Sequence, residues 1–380
     1  MQKSILRILL DSRFFGPKDS GLGIYAQNMI ENLSKISPKD EFLILLKSKD
    51  FKNYKPKNKN VVKIECNIPH YSFKEQIEIP IVIKKYKPDL VHFFNFNKPI
   101  FYSKKNLVTF YDLTLLKHEG KKQGFLKKTG LLKLGFIVEM TIGLRTATKI
   151  LSISNYSKNE LVRLFKINPR KITTILLGYN NSKFSPIKDK NDWEILGKYG
   201  IKKNYVLYIG NDRPHKNLKR LVLAWEKLSQ GIKESYDLVL AGKIDREGEI
   251  EKLLEEKKLK NVLITGFIEE DEKPVFYRNA KLFVFPSLSE GFGLPIIEAM
   301  ASGTLVVCSN STSLPEAGGE FAIYFDPENI EQITFSIERG LKDVDLSQSL
   351  VKGGLEWVKN FTWENTAKKT YSEYIKVFEQ

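Results

Sequence analysis

Largely apolar runs of four to six residues recur along the first half of the chain, at Ile5–Leu10, Phe42–Leu46, Val61–Ile64, Leu90–Phe94, Leu107–Phe110, Ile150–Ile153 and Ile172–Leu176. Between them, apolar residues return every three or four positions. Short runs without alternation predict strands buried on both faces, and the amphipathic stretches between them predict covering helices, so the pattern is that of a parallel α/β sheet. A polar, turn-rich stretch from Gly178 to Asn204, with Pro186 and the charged Lys188–Asp192 near its middle, interrupts the pattern and reads as an interdomain linker. The alternation restarts at Tyr205–Ile209, Leu238–Ala241, Val262–Thr265, Leu282–Phe285 and Thr304–Cys308. The expectation is two doubly wound α/β domains, 1–185 and 186–360. A terminal helix, 361–380, follows. Its aromatics Tyr371, Tyr374 and Phe378 have helical spacing and read as core, so this helix is expected to pack back toward the N-terminal domain.

Length agrees with two domains, because 380 residues exceed one ordinary core. A hydrophobic content of 42% excludes a disordered chain. The formal charge of +16 adds a preference for anionic partners: nucleotides, phospholipid surfaces or nucleic acid. Cys66 and Cys308 fit neither a metal spacing nor a disulfide framework, which points to a reducing cytosol. No segment has the length of a membrane span, and Met1–Asp11 is too short for a secretory signal, so membrane contact is expected only at the surface. Lys104, Lys105, Lys117, Lys121, Lys122, Lys127, Lys128 and Lys133 crowd one region, with Phe125, Leu126, Leu131, Leu132, Leu134 and Phe136 interleaved. Such a segment fits an anionic bilayer surface, and it equally fits a helix with a solvated basic face.

Candidate chemistry concentrates in Ser289-Glu-Gly-Phe-Gly-Leu-Pro-Ile-Ile-Glu-Ala-Met-Ala-Ser-Gly303, where Glu290 and Glu298 stand eight positions apart. Gly291 and Gly293 allow close backbone approach, Pro295 suits a helix start and Gly303 a helix stop. First-turn amides then offer an anion site beside two carboxylates, which accept hydrogen bonds from sugar or ribose hydroxyls. An ordinary turn followed by a helix with a glutamate against its dipole would use the same residues. Lys216 follows the Tyr205–Ile209 strand and is placed to meet a phosphate, with Arg213 and His215 as helpers. In the first domain, Gly21 and Gly23 lie between the first strand and a helix, where they fit either a phosphate cradle or a tight turn. Tyr111 and Asp112 end the Leu107–Phe110 strand, and Asp112 is placed to orient or deprotonate a hydroxyl or to cap a turn. His92 among aromatics reads as core, and Asp343 and Asp345 as solvated surface. No Walker sequence and no metal-binding motif is present, so neither a cofactor nor a metal is expected.

Over nearly its whole length the chain resembles the retaining glycosyltransferases of the GT-B fold, family four. The strongest match is Glu290-Gly-Phe-Gly-Leu-Pro-Ile-Ile-Glu298, which is similar to that family's Glu-x7-Glu signature. Pro88-Asp-Leu-Val-His, Ser152-Ile-Ser-Asn-Tyr-Ser157, Gly210–Asn217 and Ser309–Glu316 support it. The resemblance implies two Rossmann-like domains facing a cleft, an N-terminal acceptor domain and a C-terminal nucleotide-sugar domain. It assigns Glu290 to the donor hexose, Glu298 to the ribose, Lys216 to the diphosphate, and amides near Phe292, Gly293 and Leu294 to the phosphate. Three positions depart from the family: Tyr111 stands where a histidine is usual, and Asn211 and Ile24 where arginines are frequent. Arg213 or His215 would then supply the missing charge. The implied activity is metal-independent, retaining hexosyl transfer from a GDP- or UDP-sugar, with mannose favoured, to a glycan or lipid-linked acceptor in surface polysaccharide synthesis. The expected location is cytoplasmic, at the inner face of the plasma membrane. A nucleotide-sugar epimerase of the same fold is the nearer alternative, and a basic nucleic-acid-binding protein the remoter one. The chain lacks a recognisable nucleic-acid-reading motif, so nucleic acid is not an expected partner.

Overall fold

The computed structural model describes residues 5–16, 20–114, 130–245 and 247–380, with side chains from 21 and 135 onward in the helices that begin the second and third of these stretches. The chain forms two compact units. Unit 1 holds the described residues through Asp112, those from Gly130 through Gly178, and the last stretch, Trp363–Gln380; unit 2 holds Tyr179–Thr362 with Leu113 and Thr114.

Unit 1 is a parallel sheet of β1 (Arg7–Asp11), β2 (Glu41–Leu46), β3 (Val61–Glu65), β4 (Leu90–Phe93), β5 (Asn106–Phe110), β6 (Lys149–Ser152) and β7 (Ile172–Thr174). Its order is β3-β2-β1-β4-β5-β6-β7. Unit 2 has β8 (Tyr205–Asn211), β9 (Asp237–Lys243), β10 (Val262–Gly266), β11 (Leu282–Phe285), β12 (Leu305–Ser309) and β13 (Ile323–Phe325), in the order β10-β9-β8-β11-β12-β13. These are the two Rossmann-like domains that the apolar runs predict. Residues such as Ile8, Leu9, Leu10, Phe283 and Val284 are fully buried, as strands covered on both faces require. Strand β13 was not anticipated, although it closes an apolar run, Phe321–Phe325, of the same length as the others.

The expected linker is not wholly irregular. Asp192–Lys198 is a helix. Its Leu196 is buried, and buried Asp192 accepts hydrogen bonds from Arg278 Nε at 2.8 Å and Asn279 Nδ2 at 2.8 Å. A charged stretch that reads as linker in sequence is therefore packed, through partners 86 and 87 positions further on.

Two polar devices tie unit 1 together. At the end of β1, fully buried Arg13 donates to both Asp11 oxygens at 2.7 and 2.6 Å, to Glu75 Oε1 at 2.6 Å and to the Ile68 carbonyl at 3.0 Å. Burial alone would raise the Asp11 carboxyl, but the Arg13 charge and hydrogen bonds hold it below its ordinary value. Further along, His92 on β4 meets the Tyr374 hydroxyl at 2.6 Å through Nδ1 and Thr109 Oγ1 at 2.8 Å through Nε2. Burial pushes this histidine down to about 3, so it stays neutral and pins the helix Trp363–Glu379 to the sheet. Tyr374 is core, as its spacing predicts.

Cys66 and Cys308 are free and buried. Among the described residues no helix is long and apolar enough to cross a membrane. The basic segment through Lys117, Lys121, Lys122, Lys127 and Lys128 lies outside the described residues, as does the side chain of Lys133. Arg13→Ala would strand two buried carboxylates, and it is expected to cost unit 1 about 3–5 kcal/mol, read as a lower urea midpoint by circular dichroism.

Candidate active site

The chain leaves β8 toward β9 on one side and returns at β11 on the other, so the loops after β8 and β11 emerge side by side at the carboxyl edge of the second sheet. In a doubly wound sheet this crossing point is where a crevice opens. The loop after β8 forms a single 3₁₀ turn, Pro214–Lys216, that precedes the helix Leu218–Glu226; Lys216 is therefore in the turn rather than at the helix start. Lys216 Nζ stands 2.5 Å from Glu290 Oε1 in the loop after β11, with side-chain exposures of 14% and 16%. It also lies 5.4 Å from the centre of the Phe285 ring. Glu290 is the only hydrogen-bond partner of Lys216 Nζ among the described residues, so two ammonium protons and the second carboxylate oxygen keep capacity for a ligand.

The scaffold behind this pair is built from the main chain outward. Leu288 N donates to the His215 carbonyl at 2.7 Å, which joins the two loops. Asn217, in the left-handed region at φ 61°, donates to the Pro286 and Pro327 carbonyls at 3.0 and 2.7 Å. The loop after β12 supplies Thr312 Oγ1, which accepts from Glu290 N at 3.1 Å. It also supplies Ser313 Oγ, which donates to the Glu290 carbonyl at 2.9 Å. Gly293 has φ 119°, and a Cβ there would sit 3.0 Å from Leu314 Cδ2, so this position admits only glycine. The helix Leu294–Ala301 starts on it, with Pro295 in its first turn and Gly303 at φ 73° beyond its end. The amides of Gly291, Phe292, Gly293 and Leu294 make no hydrogen bond among the described residues. They form an array of N–H donors next to Lys216 and Glu290.

Glu298 occupies the same helix but a different setting. It is half-buried and accepts from the Tyr277 hydroxyl at 3.1 Å. Burial pushes its carboxyl up to about 7, with Glu270 adding to the rise and Lys273 and Tyr277 opposing it. Arg213 is exposed just before the 3₁₀ turn, and among the described residues no contact brings it to the pair; His215 is buried beneath, contributing its carbonyl.

In unit 1, Tyr111 and Asp112 follow β5, and the Tyr111 carbonyl accepts from Ser157 Oγ at 2.7 Å. The Tyr111 hydroxyl is buried without a hydrogen-bond partner among the described residues, and burial holds it protonated far above neutrality, so it can donate but cannot act as a base. Gly21 and Gly23 are in the first turn of the helix Ser20–Ile36 rather than in a loop. Gly16, at φ 76°, donates its amide to the Gly23 carbonyl at 3.1 Å, and a Cβ on Gly23 would lie 2.0 Å from the Gly16 carbonyl oxygen. The second glycine thus serves a close backbone crossing. The sequence gives no role to Tyr277, nor to Thr312, Ser313 and Asn217 within the segments that carry the resemblance, because their roles depend on loops meeting in space. Sequence reasoning passed over His70, after β3, whose Nδ1 accepts from Asn97 Nδ2 at 3.1 Å while Nε2 is buried with no partner among the described residues. An N–H without an acceptor at a sheet's carboxyl edge is the kind of group a ligand satisfies.

A sequence profile described as Glycosyl transferases group 1 matches residues 191–357, the stretch that carries Lys216, Glu290 and Glu298. O-antigen chain mannosyltransferase B of Escherichia coli is 31% identical over 299 residues, covering 77% of this chain and 75% of that protein. The chain belongs to the glycosyl transferases group 1 family. Its fold is GT-B: sucrose-phosphate synthase from Thermosynechococcus elongatus superposes with a TM-score of 0.79 at 22% identity, covering 98% of this chain and 99% of that one. The Anabaena protein Alr3699/HepE, in complex with UDP and glucose, superposes with a TM-score of 0.76 at 14% identity, covering 97% and 99%.

For this glycosyltransferase the Glu298 environment sets a pH dependence. A carboxyl raised in the folded state favours the native form while it is protonated, and that contribution is lost as pH rises from the ordinary carboxylate range through about 7. Glu298→Gln is therefore expected to match the parent protein near pH 4 and to exceed it by about 1–2 kcal/mol near pH 8, measured by urea unfolding at both values.

Proposed function

We propose that this glycosyltransferase moves a hexosyl group, mannose in the first instance, from a nucleotide diphosphate sugar to an acceptor hydroxyl with retention at the anomeric carbon and without a metal. The observation that carries the reading is the Lys216–Glu290 pair at 2.5 Å, a cation and a carboxylate that both keep hydrogen-bonding capacity beside unpaired loop amides. Glu290 accepts from hydroxyls of the donor hexose. Lys216 and the amides of Gly291, Phe292, Gly293 and Leu294 meet the diphosphate, with Arg213 and His215 contributing from the turn before Lys216. Glu298 accepts from the ribose. Breaking the sugar–phosphate bond leaves positive charge on the sugar and negative charge on the departing diphosphate, and a fixed cation with fixed dipoles stabilises the second without reorganising. The acceptor hydroxyl attacks the face that the diphosphate leaves, its proton passing to the leaving phosphate oxygen.

On the acceptor side the reading assigns Asp112 to orienting the hydroxyl and Tyr111 to donating a hydrogen bond, in the place where the family resemblance implies a histidine; Gly21 and Gly23 support the adjoining helix turn. The donor is GDP-mannose first and a UDP-sugar second, in keeping with the mannosyltransferase name of the relative that is 31% identical. The acceptor is a growing surface glycan or its lipid-linked form, and the enzyme works in the cytoplasm at the inner face of the membrane.

Glu290→Gln is expected to lower transfer about 100-fold or more with an unchanged melting temperature. Lys216→Ala is expected to weaken nucleotide diphosphate binding about 10- to 100-fold by calorimetry; full transfer by the first variant or full affinity in the second would remove the assignment. A melting screen against GDP-mannose, UDP-glucose, UDP-galactose and ADP-glucose should give its largest rise with GDP-mannose, since a ligand bound only by the native state stabilises by mass action. A larger rise with a UDP-sugar would reverse the order of donors.

A further inference from the structure

Six of the fourteen large apolar side chains exposed among the described residues lie on three neighbouring pieces of unit 1. Phe73, Ile77 and Ile81 follow one another at intervals of four on the helix Phe73–Tyr86 and make one stripe, Phe73 being 80% exposed. The same helix buries Glu75, Ile79 and Ile83, so its inward packing is complete without the stripe. Phe101, 87% exposed, lies in the connection after β4, and Val138 and Ile142 lie one turn apart on the helix Gly130–Thr146. Gln76 joins the three pieces: its Nε2 donates to Glu139 Oε1 at 2.8 Å, and its Oε1 accepts from Ile100 N at 2.8 Å. Phe101 and Val138 are the chain neighbours of those partners, so the three pieces that carry the exposed apolar residues lie side by side. Single exposed apolar residues are ordinary, whereas a contiguous group is not.

Charge identifies what covers it. Lys74, Lys84, Lys85 and Lys104 are exposed around the group, and none forms an ion pair among the described residues. Of the acids on these pieces, Glu139 is taken up by Gln76 and Glu78 is half-buried. A second copy of the chain is a poor occupant, because a two-fold contact through this patch would set lysines against lysines. An anionic bilayer supplies both an apolar interior and phosphates at the depth of the lysines.

We propose that this face of unit 1 docks on an anionic lipid bilayer, with Phe73, Ile77, Ile81 and Phe101 entering the headgroup boundary and Lys74, Lys84 and Lys85 meeting lipid phosphates. The inference rests on the peripheral-membrane reading above, and it places the contact on the helix Phe73–Tyr86 and its neighbours rather than on the segment through Lys117–Lys128.

The test is flotation of the full chain with vesicles of phosphatidylcholine, alone or mixed with phosphatidylglycerol. The parent protein should float with the mixed vesicles. A variant carrying Phe73→Ser, Ile77→Ser and Ile81→Ser should lose about tenfold or more of that partition, and Lys84→Glu with Lys85→Glu should lose it too. Both should keep their melting temperature, since the side chains changed are already in solvent. A control with Lys121, Lys122, Lys127 and Lys128 changed to Gln should keep most of its binding. Equal flotation of the parent and the serine variant would overturn the assignment of this face while leaving the membrane reading intact. Failure of the parent to float would overturn both. A lipid-free dimer, seen by sedimentation and abolished by the serine changes, would make the face a self-interface and overturn lipid docking.

Discussion

All strands in both sheets run parallel, so every connection must cross a face of its sheet and every strand's carboxyl end emerges at the same edge. The rest of the molecule follows from this constraint. It demands apolar strands throughout, because helices cover both faces, and it gathers loops that are remote in sequence. Lys216 and Glu290 are 74 positions apart, yet they meet because β8 and β11 are neighbours at the point where the strand order reverses. Thr312 and Ser313 reach the same loop from the next strand along, β12. The geometry of the Lys216–Glu290 site is thus a product of strand order before it is a product of any one side chain.

Buried polarity is used in two ways. In unit 1 the Asp11–Arg13–Glu75 cluster and the Tyr374–His92–Thr109 chain are joined by direct hydrogen bonds, and they fix the exit of β1 and the seat of the last helix. Around the site, matching is incomplete. Lys216 and Glu290 hold one another while keeping capacity, the amides from Gly291 to Leu294 are unpaired among the described residues, and burial holds Glu298 near 7 with Tyr277 as its hydrogen-bond donor. Groups left short of partners at the carboxyl edge of a sheet are what a ligand completes.

The residues that sequence reasoning placed wrongly share a cause. Asp192 stood in a stretch that reads as an interdomain linker, and Gly21 and Gly23 where a phosphate cradle or a tight turn was expected before a helix. In each case a partner elsewhere in the chain decides the outcome: Arg278 and Asn279 hold Asp192 in a packed helix, and Gly16 crosses Gly23 at a distance only glycine permits. The His70 loop escaped notice because one residue in a turn carries no period, whereas strand β13 closes an apolar run, Phe321–Phe325, that was passed over.

By itself the sequence determined the fold class, the number of domains, twelve of the thirteen strands and the stretch that carries the glycosyl transferases group 1 signature, because apolar periodicity and glycine–proline punctuation are local properties. Tertiary structure alone decided that Lys216 closes on Glu290, that Thr312, Ser313 and Asn217 brace the loop, that Tyr277 faces Glu298 and that the apolar stripe on Phe73, Ile77 and Ile81 remains in solvent. Those outcomes depend on which strands are neighbours and which helix faces find a partner, and neither is written in the spacing of residues along a single segment.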